Sequence, residues 1–114
     1  MLTTRRFYID NFLFKYDYFL KGNIIDLGGT KVNSRGNYKY SSSLKKSIKF
    51  LNNNASTEPD YLFSIEEKLD LKQKFDVIIM NEVIEYVDNF DKVLGNISSL
   101  SKKNTTLILT WPWM

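Results

Sequence analysis

An α/β layer fold with a mostly parallel sheet is what this sequence predicts, and three observations carry the prediction. Short apolar runs recur along the chain, at Ile24–Leu27, Ile48–Leu51, Tyr61–Ile65, Phe75–Met80 and Thr105–Thr110. The clearest of them are almost continuously hydrophobic, as strands buried on both faces are. Stretches of helical spacing lie between them, and Gly, Asn or Pro turns bound them. Strands alternating with helices across short turns build a parallel sheet with helices on its faces.

The first element is RRFYIDNFLFKYDYFL, residues 5–20, where Phe7, Phe12, Phe14, Tyr16, Phe19 and Leu20 sit among Asp10, Lys15 and Asp17. Helix and strand periods both fit parts of it, but its length and its lack of Gly and Pro select a helix. Lys21-Gly22-Asn23 breaks that helix before the strand Ile24–Leu27, which runs into Gly28-Gly29. Residues 30–43 are polar and irregular, and Leu44–Ser47 is a candidate short helix. A second strand, Ile48–Leu51, closes at Asn52-Asn53-Asn54, and Glu58-Pro59-Asp60 makes a turn because a residue before proline avoids the α region. The third strand is Tyr61–Ile65, followed by a charged loop, Glu66–Lys74, and the strongest strand, Phe75–Met80. Asp88 is placed to cap a helix in which Phe90, Val93, Leu94, Ile97 and Leu100 recur at helical spacing. Lys102-Lys103 follows where a helix dipole favours cations, and Thr105–Thr110 is the fifth strand.

Composition removes many chemistries. The chain has 114 residues, enough for one domain of modest core. It has no Cys and no His. Disulfides, thiol nucleophiles, histidine bases and histidine metal ligands are therefore excluded, and no metal site is expected. No apolar run approaches the ~20 residues of a membrane span, and the N-terminus lacks a signal-peptide core, so a soluble cytoplasmic protein is expected. The net charge of +3 hides an uneven spread. Residues 1–49 hold ten Lys and Arg against three Asp, whereas residues 50–91 hold three Lys against ten acids. Such asymmetry marks either a nucleic-acid or phosphate face, or solvated faces that complement each other.

Ligands of open parallel sheets bind outside the carboxyl ends of the strands, at the switch point of strand order. The residues to inspect are therefore Asp26 to Thr30, Asn52 to Asn54, Met80 to Glu85 and Thr110 to Trp113. In IIDLGGT a carboxylate at the strand end precedes two glycines, which let a backbone turn approach a ligand closely. A tight turn alone would explain them equally well. The spacing is neither that of G-x-G-x-x-G nor that of a P-loop. In FDVIIMNEVIEYV, residues 75–87, Asn81, Glu82, Glu85 and Tyr86 follow the strand, where acids also favour the positive end of a helix.

The two stretches, in this order and about fifty residues apart, resemble the class I S-adenosylmethionine-dependent methyltransferases, of the type-11-like small-molecule and sugar-pathway branch. Residues 75–87 follow that family's F-D-x-[IV]-[IV] and E-V-[LI]-E-[HY]-[VI] patterns almost position by position, with Tyr86 where His is frequent. KNTTLILTWP, residues 103–112, is similar to its segment around the fifth strand. The resemblance covers residues 20–113. It implies a Rossmann-like sheet of order 3-2-1-4-5 with flanking helices, an N-terminal helix or lid over 1–21, a cofactor-binding core over 22–114, and S-adenosylmethionine as cofactor. It further implies that Asp26, Leu27, Gly28, Gly29 and Thr30 line the methionine end, with Asn81 and Glu82 beside the sulfonium and the acceptor.

Departures from the family accompany these matches. Asn54, or Asn53, stands where an acid usually holds the ribose hydroxyls, which removes a charge-assisted acceptor worth roughly 1–2 kcal/mol. Near the adenine the matching residue is Ser64, with Glu66 the alternative. The family's sheet has seven strands, in the order 3-2-1-4-5-7-6, and this sequence supplies five. Strand 105–110 would then be an open edge, covered by a second copy, by another chain or by the rest of a longer gene product.

Three functions follow as expectations. The first is methyl transfer to a small-molecule acceptor, in sugar or other biosynthesis, with Glu82 preferred over Glu85 and Tyr86 as base. The second is a catalytically weak or inactive cofactor-binding fragment or partner subunit. The third is nucleic-acid binding through Arg5, Arg6, Lys31, Arg35, Lys45 and Lys46 with Phe7, Tyr8, Tyr38 and Tyr40 interleaved. No recognised nucleic-acid motif supports the third.

Overall fold

The computed structural model describes residues 4–30, 40, 47–81 and 83–111, the side chains of Arg5 and Arg6 apart. Helix α1 spans Thr4–Tyr16 and continues as a 3-10 turn, Asp17–Phe19. The strands are β1 (Ile24–Leu27), β2 (Ile48–Asn52), β3 (Tyr61–Leu62), β4 (Phe75–Asn81) and β5 (Ser101–Thr110), and helix α2 spans Phe90–Leu100 between the last two. All four strand pairings are parallel, and the sheet order is β3-β2-β1-β4-β5. This is the Rossmann-like arrangement that the resemblance implies. The order reverses between β1 and β4, so the loops leaving those two strands flank the switch point.

The core has two layers because successive strand residues face opposite sides. Ile25, Leu27, Ile78 and Met80 pack with Val93 and Leu100 of α2, together with Leu51, Leu69 and Phe75. Ile24, Val77 and Ile79 face the other side with Leu20, Ile48, Phe50 and Ile108. Tyr40 packs against this second layer and also against Ile9 and Leu13 of α1. Phe50 and Phe75 are wholly buried, and each contributes roughly 1.5–3 kcal/mol by leaving water.

Strands β2 and β4 each run one residue beyond the expected end, to Asn52 and Asn81, and three elements differ further. Strand β3 ends at Leu62 rather than Ile65, because Ser64 and Glu67 close a turn in which Glu67 N–H donates to the Ser64 carbonyl at 3.1 Å. Asn89, not Asp88, caps α2: its Oδ1 accepts from Lys92 N–H at 3.3 Å, and its backbone is extended. Strand β5 begins at Ser101, directly after α2, with a register irregularity between the pairs Phe75–Ser101 and Val77–Thr106. Lys102 and Lys103 therefore lie in the strand, and Lys102 pairs with Asp76. Of the candidate helix 44–47 only Ser47 is described, and it is helical. Lys31, Arg35, Tyr38, Lys45 and Lys46 lie outside the described residues. No helix among the described residues is long and apolar enough to cross a membrane.

Candidate functional site

The carboxyl end of β1 is shaped by its two glycines. Gly28 has φ +85, a left-handed conformation that side-chain-bearing residues rarely adopt, and its N–H donates to the Leu51 carbonyl at 2.7 Å. A Cβ on Gly28 would stand 2.6 Å from Val83 Cγ2, in the loop after β4. A Cβ on Gly29 would overlap the carboxyl of Asp26. The glycines are thus required because this loop is pressed between the exit of β4 and a buried acid. That acid, Asp26, is 5% exposed, and its Oδ2 accepts a hydrogen bond from the Tyr40 hydroxyl at 3.2 Å. The Leu27 side chain is buried in the core beneath α2, so it is the Leu27 backbone that borders the edge. Thr30 follows, half-buried.

The carboxyl end of β2 meets the same loop. Asn52 Nδ2 donates to the carbonyls of Gly28 and Gly29, at 3.2 and 3.0 Å, and its Oδ1 accepts from Asn54 N–H at 3.0 Å. Asn54 is exposed and caps a 3-10 turn over Ala55–Thr57, where its Oδ1 accepts from both the N–H and the hydroxyl of Ser56. Its amide nitrogen is then the group best placed to meet a further polar partner. Sequence reasoning marked Asn52 within the stretch Asn52 to Asn54 but gave it no role, because the second strand was read as ending at Leu51. What singles it out is the register of the packed sheet, in which Leu27 pairs with Leu51 and the next residue of β2 falls beside Gly28.

After β4, Asn81 Oδ1 accepts from the Thr110 hydroxyl at 3.1 Å, joining the ends of β4 and β5. Glu82 lies outside the described residues. Val83 begins a 3-10 turn over Ile84–Tyr86, in which Glu85 is exposed and Tyr86 is 76% exposed. The structure therefore gathers Asp26, Gly28 and Gly29 with Asn52 and Val83 around the switch point. Val83 lies in the stretch Met80 to Glu85 that the sequence marked, but was given no role there.

Ser64 follows β3, one residue beyond the Phe63 N–H that donates to the Asn52 carbonyl at 3.1 Å. Its N–H donates to Glu67 Oε1 at 2.9 Å and its hydroxyl accepts from Glu66 N–H at 3.2 Å. With Glu66, Lys68, Lys92 and Asn96 it lines a groove along α2. Glu66 Oε1 accepts from Asn89 N–H at 2.6 Å, which ties the β3–β4 connection to the start of α2. Asn96, 5% exposed, holds the same connection: its Nδ2 donates to the carbonyls of Ile65 and Glu67, both at 2.6 Å, and its Oδ1 accepts from Leu69 N–H at 3.1 Å. Every polar atom of that buried amide has a partner, as burial demands.

At the opposite, amino-terminal end of the strands, Asp76 is the second residue of β4. Lys102 beside it, and then the Asn23 N–H, hold its carboxyl below the usual carboxylate range. A side chain on Gly22, where φ is +75, would overlap that carboxyl. Asp76 closes the turn into β1 and lies far along the strand from the glycine loop.

Comparison with curated proteins returned no match, and comparison with solved structures returned none. Among protein families, a methyltransferase domain matches residues 8–112, almost the whole chain. The match includes every strand of the sheet, the glycine loop and the residues around the exit of β4. With a five-stranded parallel sheet of order β3-β2-β1-β4-β5 and a glycine loop at its switch point, the chain belongs to the methyltransferase domain family.

Proposed function

We propose that the carboxyl edge of β1, β2 and β4 binds S-adenosylmethionine and that the chain transfers a methyl group to a small-molecule acceptor, such as a sugar or another biosynthetic intermediate. Membership of a methyltransferase family makes methyl transfer the general chemistry. The observation that carries the finer reading is the convergence of Gly28, Gly29, Asn52 and Val83 beside the buried Asp26 carboxylate at the switch point.

These residues suit the cofactor. A buried acid at a strand end favours a nearby ammonium, as an amino-acid moiety carries. A loop with two glycines lets backbone groups approach a ligand without a side chain intervening. In this reading Asp26, Leu27, Gly28, Gly29 and Thr30 border the amino-acid end, Asn54 meets the ribose and Ser64 lies toward the adenine. Asn81 and Glu82 stand at the sulfonium and the acceptor entrance, with Glu82 as the base. The cofactor supplies a methyl group activated on a sulfonium. The protein's part is to hold the acceptor in line with it, an effect of positioning.

A catalytically weak binding module is the second reading. It is favoured by one observation, the engagement of Asn54 Oδ1 by Ser56 where the family offers a free carboxylate. Calorimetric titration with S-adenosylmethionine and S-adenosylhomocysteine tests both. Micromolar binding near one-to-one supports the cofactor site and opens a screen of acceptors, in which turnover supports the enzyme and binding without turnover the binding module. No heat at millimolar ligand, from protein shown to be folded, overturns cofactor binding by this chain.

A further inference from the structure

The Asn52 side chain bonds to the exits of two strands at once. Its Nδ2 reaches back to the Gly28 and Gly29 carbonyls, and its Oδ1 reaches forward to Asn54 N–H. Its own carbonyl accepts from Phe63 N–H at 3.1 Å, just past β3, so the backbone carrying the amide is itself pinned. Each end of a carboxamide does something the other cannot: the nitrogen donates and the oxygen accepts. A carboxylate at this position would keep the bond to Asn54 but would set a negative oxygen against two carbonyl oxygens. The amide is therefore required by its partners.

We propose that Asn52 is a positioning residue, which fixes the separation between the loop after β1 and the loop after β2. A single elongated ligand, an amino-acid end joined to a nucleoside end, is then met at both ends together. This rests on the cofactor reading above. Ligands that occupy one loop do not depend on the separation, whereas a ligand that spans both does. The dependence on Asn52 is therefore a property of ligand length, which distinguishes positioning from general damage to the fold.

The test is calorimetric titration of wild type, Asn52→Ala and Asn52→Asp with S-adenosylhomocysteine and, separately, with adenosine, each protein checked for folding by circular dichroism. Both variants should bind S-adenosylhomocysteine at least about tenfold more weakly and adenosine within about twofold of wild type.

Wild type that binds no S-adenosylhomocysteine overturns the cofactor reading and this inference with it. Wild type that binds, with variants within about twofold of it, overturns the inference alone. So does an equal loss for adenosine. Should neither variant fold, hydrogen exchange on wild type decides: saturating S-adenosylhomocysteine should slow exchange at both Gly28–Thr30 and 54–57, and saturating adenosine at 54–57 alone. Equal protection of Gly28–Thr30 by adenosine, or protection of one loop only by S-adenosylhomocysteine, overturns the inference.

Discussion

Asp76 and Lys102 join the start of β4 to the start of β5 through an ion pair of 2.6 Å, where the register between the two strands is irregular. The same carboxylate accepts the Asn23 N–H at 2.8 Å, so one acid fastens the amino-terminal ends of three neighbouring strands, β1, β4 and β5.

Stability should fall in acid through this group. Lys102, and then Asn23, lower the Asp76 pKa in the folded chain below its ordinary 3.8. Between those values the unfolded chain binds the extra proton, so stability rises with pH there. The contribution is complete above 3.8 and is lost as pH falls through the lowered native value. Urea midpoints measured from about pH 6 down to about pH 2 should drop more steeply for wild type than for Asp76→Asn. Parallel curves would show that the pair contributes nothing.

Gly28→Ala should cost roughly 1–3 kcal/mol, from a left-handed backbone and from contact with Val83. Adding Val83→Ala removes the second cause and leaves the first. Denaturant unfolding of both single variants and the double variant should give a favourable coupling of at least about 0.5 kcal/mol. Strict additivity would mean that the loop moves aside at no cost. Gly28→Val, which is bulkier, should also abolish S-adenosylhomocysteine binding, read by calorimetry.

Asn54→Asp should leave the 3-10 turn intact, because a carboxylate accepts from Ser56 N–H and hydroxyl as the amide oxygen does. It adds an acceptor with charge behind it. If Asn54 holds the ribose, S-adenosylhomocysteine should bind tighter by roughly 1–2 kcal/mol, about tenfold. Unchanged or weaker binding in the calorimeter would assign the ribose to another residue.

Asn96→Ala should destabilise by roughly 2–4 kcal/mol, since it strips three partners from a buried amide and leaves the Leu69 N–H unpaired. The loss should be local as well as global. Amide exchange at 65–69 should accelerate more than exchange in β1 and β4. A uniform change across the sheet would show that the connection is held by other contacts.

The family, the five strands and their parallel packing were legible in the sequence because each rests on neighbours in the chain. FDVIIM is a buried strand by its own composition, and IIDLGG announces a strand that ends in a glycine turn. Asp26, Gly28 and Gly29 came with that signature. The helix cap was misplaced by one residue because Asp88 and Asn89 are equally good caps locally. What selects Asn89 is the bond from its N–H to Glu66, 23 residues earlier.

The remaining features depended on tertiary structure for the same reason. Asn52 is one of three consecutive asparagines, and nothing local separates it from Asn53 and Asn54. It becomes distinct when parallel pairing brings β2 beside β1 and sets its amide against carbonyls 23 and 24 residues away. Val83 and Asn96 gain their roles in the same way, one from the closeness of the β4 exit to Gly28, the other from a connection that folds over α2. Apolar periodicity determined which segments are strands and helices. Where a polar side chain finds its partner was decided by the packing of those segments, because hydrogen bonds depend on distances and directions that sequence spacing does not encode.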